Sequence, residues 1–229
     1  CVKLDIEKGK GLELKKPFEI RAYPTLLFLD GKQQVVHRIV GCDGAEYLMK
    51  EAGKALDPQL NFRAMQERYM AGERATDFIL EYLNYLGHAY LEEEANAIAL
   101  QYLQGFKEEE LITSANWKII EKYIKDPLAI PLQVVMKRRK AFFDLAPEQE
   151  VINKLNLTCR SALLPFTRWR PDSEIVFDER YYDALVAYFK SVDYDLAPEC
   201  LANLYTAGFM YRGDYSGMLE EMKRVMAYG

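Results

Sequence analysis

Phe18-Glu19-Ile20-Arg21-Ala22-Tyr23-Pro24-Thr25-Leu26-Leu27-Phe28-Leu29-Asp30-Gly31 is the stretch whose reading decides the fold of the N-terminal part. A proline pushes the residue before it into extended geometry, so Tyr23-Pro24 leads into the apolar run that ends at Leu29. Asp30-Gly31 followed by a second run, Val35-Val36-His37-Arg38-Ile39-Val40, predicts a hairpin. Gly41 and Gly44 break the second strand, and Ala45 to Leu56 predicts a helix with Tyr47, Leu48, Ala52 and Leu56 on its apolar face. Upstream, Val2 to Ile6 alternates as a strand, while Gly9 and Gly11 open a short helix through Leu12 and Leu14 that Pro17 ends. Residues 1–56 therefore read as β-α-β-β-α.

From residue 57 onward the pattern is helical. Asp57-Pro58 is an N-cap followed by proline, a start signal for a helix from Gln59 to Met70. Helical spacing recurs in Phe78/Ile79/Tyr82/Leu83/Leu86, in Trp117/Ile120/Tyr123/Ile124, in Tyr181/Tyr182/Leu185/Phe189 and in Met218/Leu219/Met222/Val225. Leu204-Tyr205 through Phe209, then Gly213-Asp214-Tyr215, is similar to the helix-turn-helix of a tetratricopeptide repeat, with a fainter echo around Gly72. The period is too irregular to count repeats, so residues 57–229 are expected to form an all-α, α-solenoid-like domain.

Composition supports two units. Residues 1–56 hold 10 basic and 8 acidic side chains, leaving 20 and 27 for residues 57–229, which also carry 25 of the 29 aromatics. With 50% hydrophobic and 28% charged residues, the chain can bury a real core. No apolar run approaches the ~20 residues that cross a bilayer, and a net charge of -5 gives no footprint for nucleic acid. The first residue, Cys1, follows no methionine or apolar leader, which reads as a chain trimmed upstream; an acylated lipoprotein cysteine is the alternative.

The order Leu4-Asp5, the helix Gly11 to Lys16, Phe18 to Phe28, the Asp30-Gly31 hairpin and Val40-Gly41 resembles the C-terminal half of a thioredoxin fold. It is most similar to the thioredoxin-like proteins and disulfide isomerases of Bacteroides-type bacteria. The match covers nearly all of residues 1–56, about a quarter of the chain, and its most specific piece is Ile20-Arg21-Ala22-Tyr23-Pro24-Thr25, where the family has its cis-proline. The resemblance implies an α/β thioredoxin-like fragment with a cis Tyr23–Pro24 bond. It also implies a substrate groove made by Ala22, Tyr23, Pro24, Thr25, Val40, Gly41 and Cys42, in which the residue before the proline lends its backbone to an added strand. Read without the family, Pro24 is equally a residue that starts an edge strand.

The family's redox pair is absent. Cys1, Cys42, Cys159 and Cys200 are too far apart for a Cys-X-X-Cys or a zinc ribbon, and neither Cys1 nor Cys42 has the helix N-terminus that lowers a thiol pKa. Cys42 reads either as a thiol beside the groove or as a small loop residue; the other three read as buried fillers, and nothing in the sequence supports a Cys159–Cys200 bridge. His37 and His88 have no partner at metal-ligand spacing, and Glu92-Glu93-Glu94, Glu108-Glu109-Glu110 and Lys137-Arg138-Arg139-Lys140 read as solvated helix ends rather than ion sites. No cofactor, metal or catalytic residue is expected in this chain.

The function the resemblance implies is that of a fragment of a thiol-disulfide oxidoreductase or isomerase, retaining the cis-proline groove, acting on thiol- or disulfide-containing proteins. The implied compartment is periplasmic or otherwise extracytoplasmic, with cytoplasm as the alternative. The rival reading is a non-catalytic protein-binding module in which the tyrosine-rich helical domain does the work.

Overall fold

The computed structural model describes residues 2–227, which form two compact units, Cys1–Ile98 and Ala99–Gly229. The first unit contains α1 (Lys10–Lys15), β1 (Thr25–Leu29), β2 (Val35–Val40), α2 (Ala45–Leu56), α3 (Phe62–Met70) and α4 (Thr76–His88); α5 (Glu92–Leu103) contains the division. The expected β-α-β-β-α thioredoxin-like fragment is overturned. The structure is 61% helical, and among the described residues the sheet has two antiparallel strands only. Residues 2–5 form no strand: Val2 is 81% exposed, and the turn after Asp5 folds back so that its carbonyl accepts from the Lys8 amide. Gly11 makes room for this turn, since a Cβ there would fall on the Asp5 carbonyl and lie 2.9 Å from the Ile6 Cα. Alternation alone does not make a strand; a ladder partner is needed, and among the described residues none is offered.

The hairpin forms, but Asp30-Gly31 is not its two-residue turn. Asp30 Oδ1 accepts from the Lys32 and Gln34 amides, each at 2.9 Å, and Gln33, not Gly31, takes the positive φ of 64°. These amides, with Arg63 at 2.8 Å, hold the Asp30 carboxyl below its ordinary range and tie the loop to α3. The helix expected from Gln59 starts at Phe62 instead. Asp57 accepts from the Gln59 amide in a turn, and Asn61 is the cap, accepting from Ala64 at 3.0 Å. On α2 the buried face carries Glu51 and Ala55, while Leu56 is 85% exposed.

The second unit contains α6 (Glu108–Leu111), α7 (Ser114–Tyr123), α8 (Ile130–Lys137), α9 (Arg139–Phe143), α10 (Glu148–Thr167), α11 (Glu179–Ser191), α12 (Ala197–Arg212) and α13 (Tyr215–Ala227), so the all-helical expectation is compatible with it. Its centre is α10, whose stripe Val151, Leu155, Cys159, Leu163 and Phe166 is buried; α10 packs on α9 and α12, and α12 on α11 and α13. Gly213, at φ 69°, ends α12 in a left-handed cap with Asp214 N–H donating to Phe209 O at 2.9 Å. Asp214 then accepts from Gly217 N at 2.9 Å. This is the turn expected from Gly213-Asp214-Tyr215; the side chains of Met222 and Val225, expected on the α13 face, lie outside the described residues.

At Gly208, α12 lies against Tyr182 of α11. A Cβ there would meet the Tyr182 hydroxyl and approach its Cζ to 2.8 Å. Tyr182 cannot withdraw, because it is buried against Phe166 and Phe177. Gly208→Ala is therefore expected to destabilise the second unit by about 1–3 kcal/mol, read as a lower urea midpoint in the fluorescence of Trp117 and Trp169.

Candidate functional site

The two halves of the expected groove meet at the start of the hairpin. Thr25 Oγ1 donates to Ala22 O at 2.7 Å and folds residues 22–25 into a tight turn containing the cis Tyr23–Pro24 peptide bond. Gly41 N–H donates to Pro24 O at 2.9 Å, and Thr25 stands opposite Val40, so Ala22, Tyr23, Pro24, Thr25, Val40 and Gly41 form one cluster with Cys42 next in the chain. Gly41, at φ 81°, occupies the left-handed region that other residues rarely adopt. Tyr23 is half-exposed, and the exposed Cys42 makes only a long Sγ contact to Gly44 O at 3.8 Å. These contacts join the seven residues in space; none of them establishes a role.

The two sheet edges differ. On β2 the Tyr85 hydroxyl accepts from Arg38 N–H and donates to Arg38 O, both at 2.9 Å, occupying the outward backbone groups of that residue as a strand would. Because Arg38 faces outward there, Leu27 opposite it, and Thr25 two residues earlier, turn their N–H and C=O toward the far side of β1. Among the described residues nothing pairs with that edge. β1 is half-buried, with Leu29 46% exposed at its end.

Behind the sheet lies a feature the sequence reading missed. His37, on β2, is completely buried. Its Nδ1 accepts from Phe62 N–H at 3.2 Å, which puts the ring proton on Nε2, 3.5 Å from Glu51 Oε2. Glu51 also pairs with Lys54 at 2.7 Å. Burial lowers the His37 pKa against the opposing pull of Glu51, and it pushes the Tyr85 phenol far up. Beside them a cavity of about 470 Å³ opens between α2 and α4, lined in part by Lys50, Lys54, Glu81 and His88 and by no cysteine.

Cys159 and Cys200 are buried on α10 and α12, and burial pushes their thiols up to about 12 and about 11. Neutral buried thiols are inert in exchange. Cys1, expected as a filler, lies outside the described residues. No group of metal-ligating side chains occurs among the described residues, and no described helix is long and apolar enough to cross a membrane. Compared with protein-family models, curated protein sequences and solved structures, the chain matches none.

The His37 geometry has a pH consequence. Its folded-state pKa lies below the unfolded value of about 6.5, so the unfolded chain binds more protons between the two. Stability of the first unit is fully present above about pH 6.5 and falls as pH drops below it. Hydrogen exchange at the Leu26 and Ile39 amides, corrected for intrinsic rates, is expected to lose protection from pH 7.5 to 5.5. His37→Gln should abolish that extra loss.

Proposed function

We propose that this chain serves thiol-disulfide exchange on protein substrates, as in the thioredoxin-like oxidoreductases and isomerases that the sequence of residues 1–56 resembles, by binding an extended substrate segment. The observation that carries the reading is the convergence of Ala22–Thr25 with Val40–Cys42 at the end of an unpaired β1 edge. A peptide laid along that edge finds the outward amides of Thr25 and Leu27 for backbone pairing, with Tyr23 beside it as an exposed aromatic surface. The thiol pair is supplied from elsewhere, since Cys42 has no second thiol near it in sequence and Cys159 and Cys200 are buried. An extracytoplasmic, oxidising compartment suits such chemistry.

Two measurements test this. The 229-residue chain, given dithiothreitol and insulin, is expected to reduce no disulfides catalytically, and with oxidised glutathione Cys42 should stop at a mixed disulfide. In an NMR titration with S-carboxymethylated insulin B chain, shifts should concentrate at residues 22–27 and 40–42. Leu27→Pro, which removes an outward donor and leaves the β1–β2 ladder intact, should abolish them. Shifts confined to the helices after residue 57 would instead favour the binding-module reading.

A further inference from the structure

The helical unit holds a second place where reactive side chains converge, independent of the sheet edge. A groove of about 550 Å³ runs between the end of α7 and the outer face of α10. At its base the half-buried Lys154 donates from Nζ to the carbonyl of Ile124, the residue that ends α7, at 2.6 Å. Lys122 and Lys125 line one side of the groove, Glu121 and Glu150 also border it, and Leu157, 67% exposed, gives it an apolar wall. Glu150 is fixed by Trp117 Nε1, which donates to it at 2.9 Å.

We propose that this groove is an acylation site, in which Lys154 takes a short acyl group from an acyl phosphate whose phosphate is held by Lys122 and Lys125. The chemistry balances without a further reactant. The Lys154 ammonium first gives up a proton to solvent. Nζ then bonds to the acyl carbon, the bond from that carbon to the phosphate oxygen breaks, and inorganic phosphate leaves with the electron pair and takes the second nitrogen-bound proton. The amide product keeps an N–H for the Ile124 carbonyl. It also removes a half-buried positive charge that stands near Lys125, so the site suits the product better than the reactant. Leu157 supplies the surface against which the acyl carbons lie.

The amine is also prepared for attack. Burial pushes Lys154 down to about 8; Glu121 opposes the shift and Lys125 adds to it. Against an ordinary lysine near 10.5, that raises the unprotonated fraction at neutral pH by about 300-fold, part of which is offset because a less basic amine is a weaker nucleophile.

The test is to incubate the full chain with acetyl phosphate at pH 7.5 and follow each lysine by peptide mass spectrometry. Lys154 is expected to acetylate at least about tenfold faster than exposed Lys118 and Lys190. Added inorganic phosphate should slow Lys154 selectively. Lys125→Gln, an exposed position, should cut the rate at Lys154 severalfold with acetyl phosphate and less with the uncharged N-hydroxysuccinimide acetate. Acetylation of Lys154 within twofold of Lys118 and Lys190 overturns the proposal. Fast acetylation that neither phosphate nor Lys125→Gln affects overturns the phosphate-binding part of it.

Discussion

The hydroxyl of Tyr85 makes two hydrogen bonds to one residue of the sheet, accepting from the amide of Arg38 and donating to its carbonyl. A two-stranded ribbon is at best marginally stable alone in water, so something has to support the other side of β2. The phenol brings the α4 helix against that side and satisfies the backbone groups that a third strand would otherwise take. The Arg38 guanidinium continues the closure in the other direction, donating to Phe18 O and Glu19 O at 2.6 and 3.1 Å and fastening the segment that precedes the Tyr23–Pro24 turn. One residue of β2 is thus tied to a helix by its backbone and to the segment leading into the candidate site by its side chain.

Aromatic packing makes this arrangement firm. Phe62 stacks on Tyr85 at 5.1 Å and Tyr82 stacks on Phe78 at 6.0 Å, while the Phe62 amide donates to His37. A buried donor or acceptor left unpaired costs about 1–3 kcal/mol, so the imidazole and the phenol each hold their neighbour in place. With one edge of the sheet sealed in this way, β1 is left as the edge where an incoming backbone can pair.

Much of this was legible in the sequence, though unevenly. The hairpin and α2 follow from local rules about glycine and alternation, which act within a few residues, whereas the cis bond at Tyr23–Pro24 and the Gly213 turn were expected only from the resemblance to a thioredoxin-like groove and to a tetratricopeptide helix-turn-helix. The burial of His37 was readable too: in Val35–Val40 it shares a face with Ile39, 3% exposed. Nothing local revealed that Tyr85 would reach back 47 residues to Arg38, or that Glu51 would be buried because it faces His37. The strand expected at Val2–Ile6 failed for the same reason, since strand formation depends on a partner that the strand's own sequence does not specify. Lys154 left no signal at all in a reading organised around thiols, histidines and charge runs.

That last omission has a physical basis. Burial favours the neutral form of every titratable group, and the effect on reactivity depends on which form attacks. Cys159 and Lys154 lie five residues apart on α10, and desolvation is the largest influence on both. For the thiol, the neutral form is the inert one, so burial takes Cys159 out of exchange chemistry and leaves it a packing residue. For the amine, the neutral form is the nucleophile, so the same loss of water prepares Lys154 for an electrophile. In α10 the environment that silences the Cys159 thiol is therefore the one that activates the Lys154 amine.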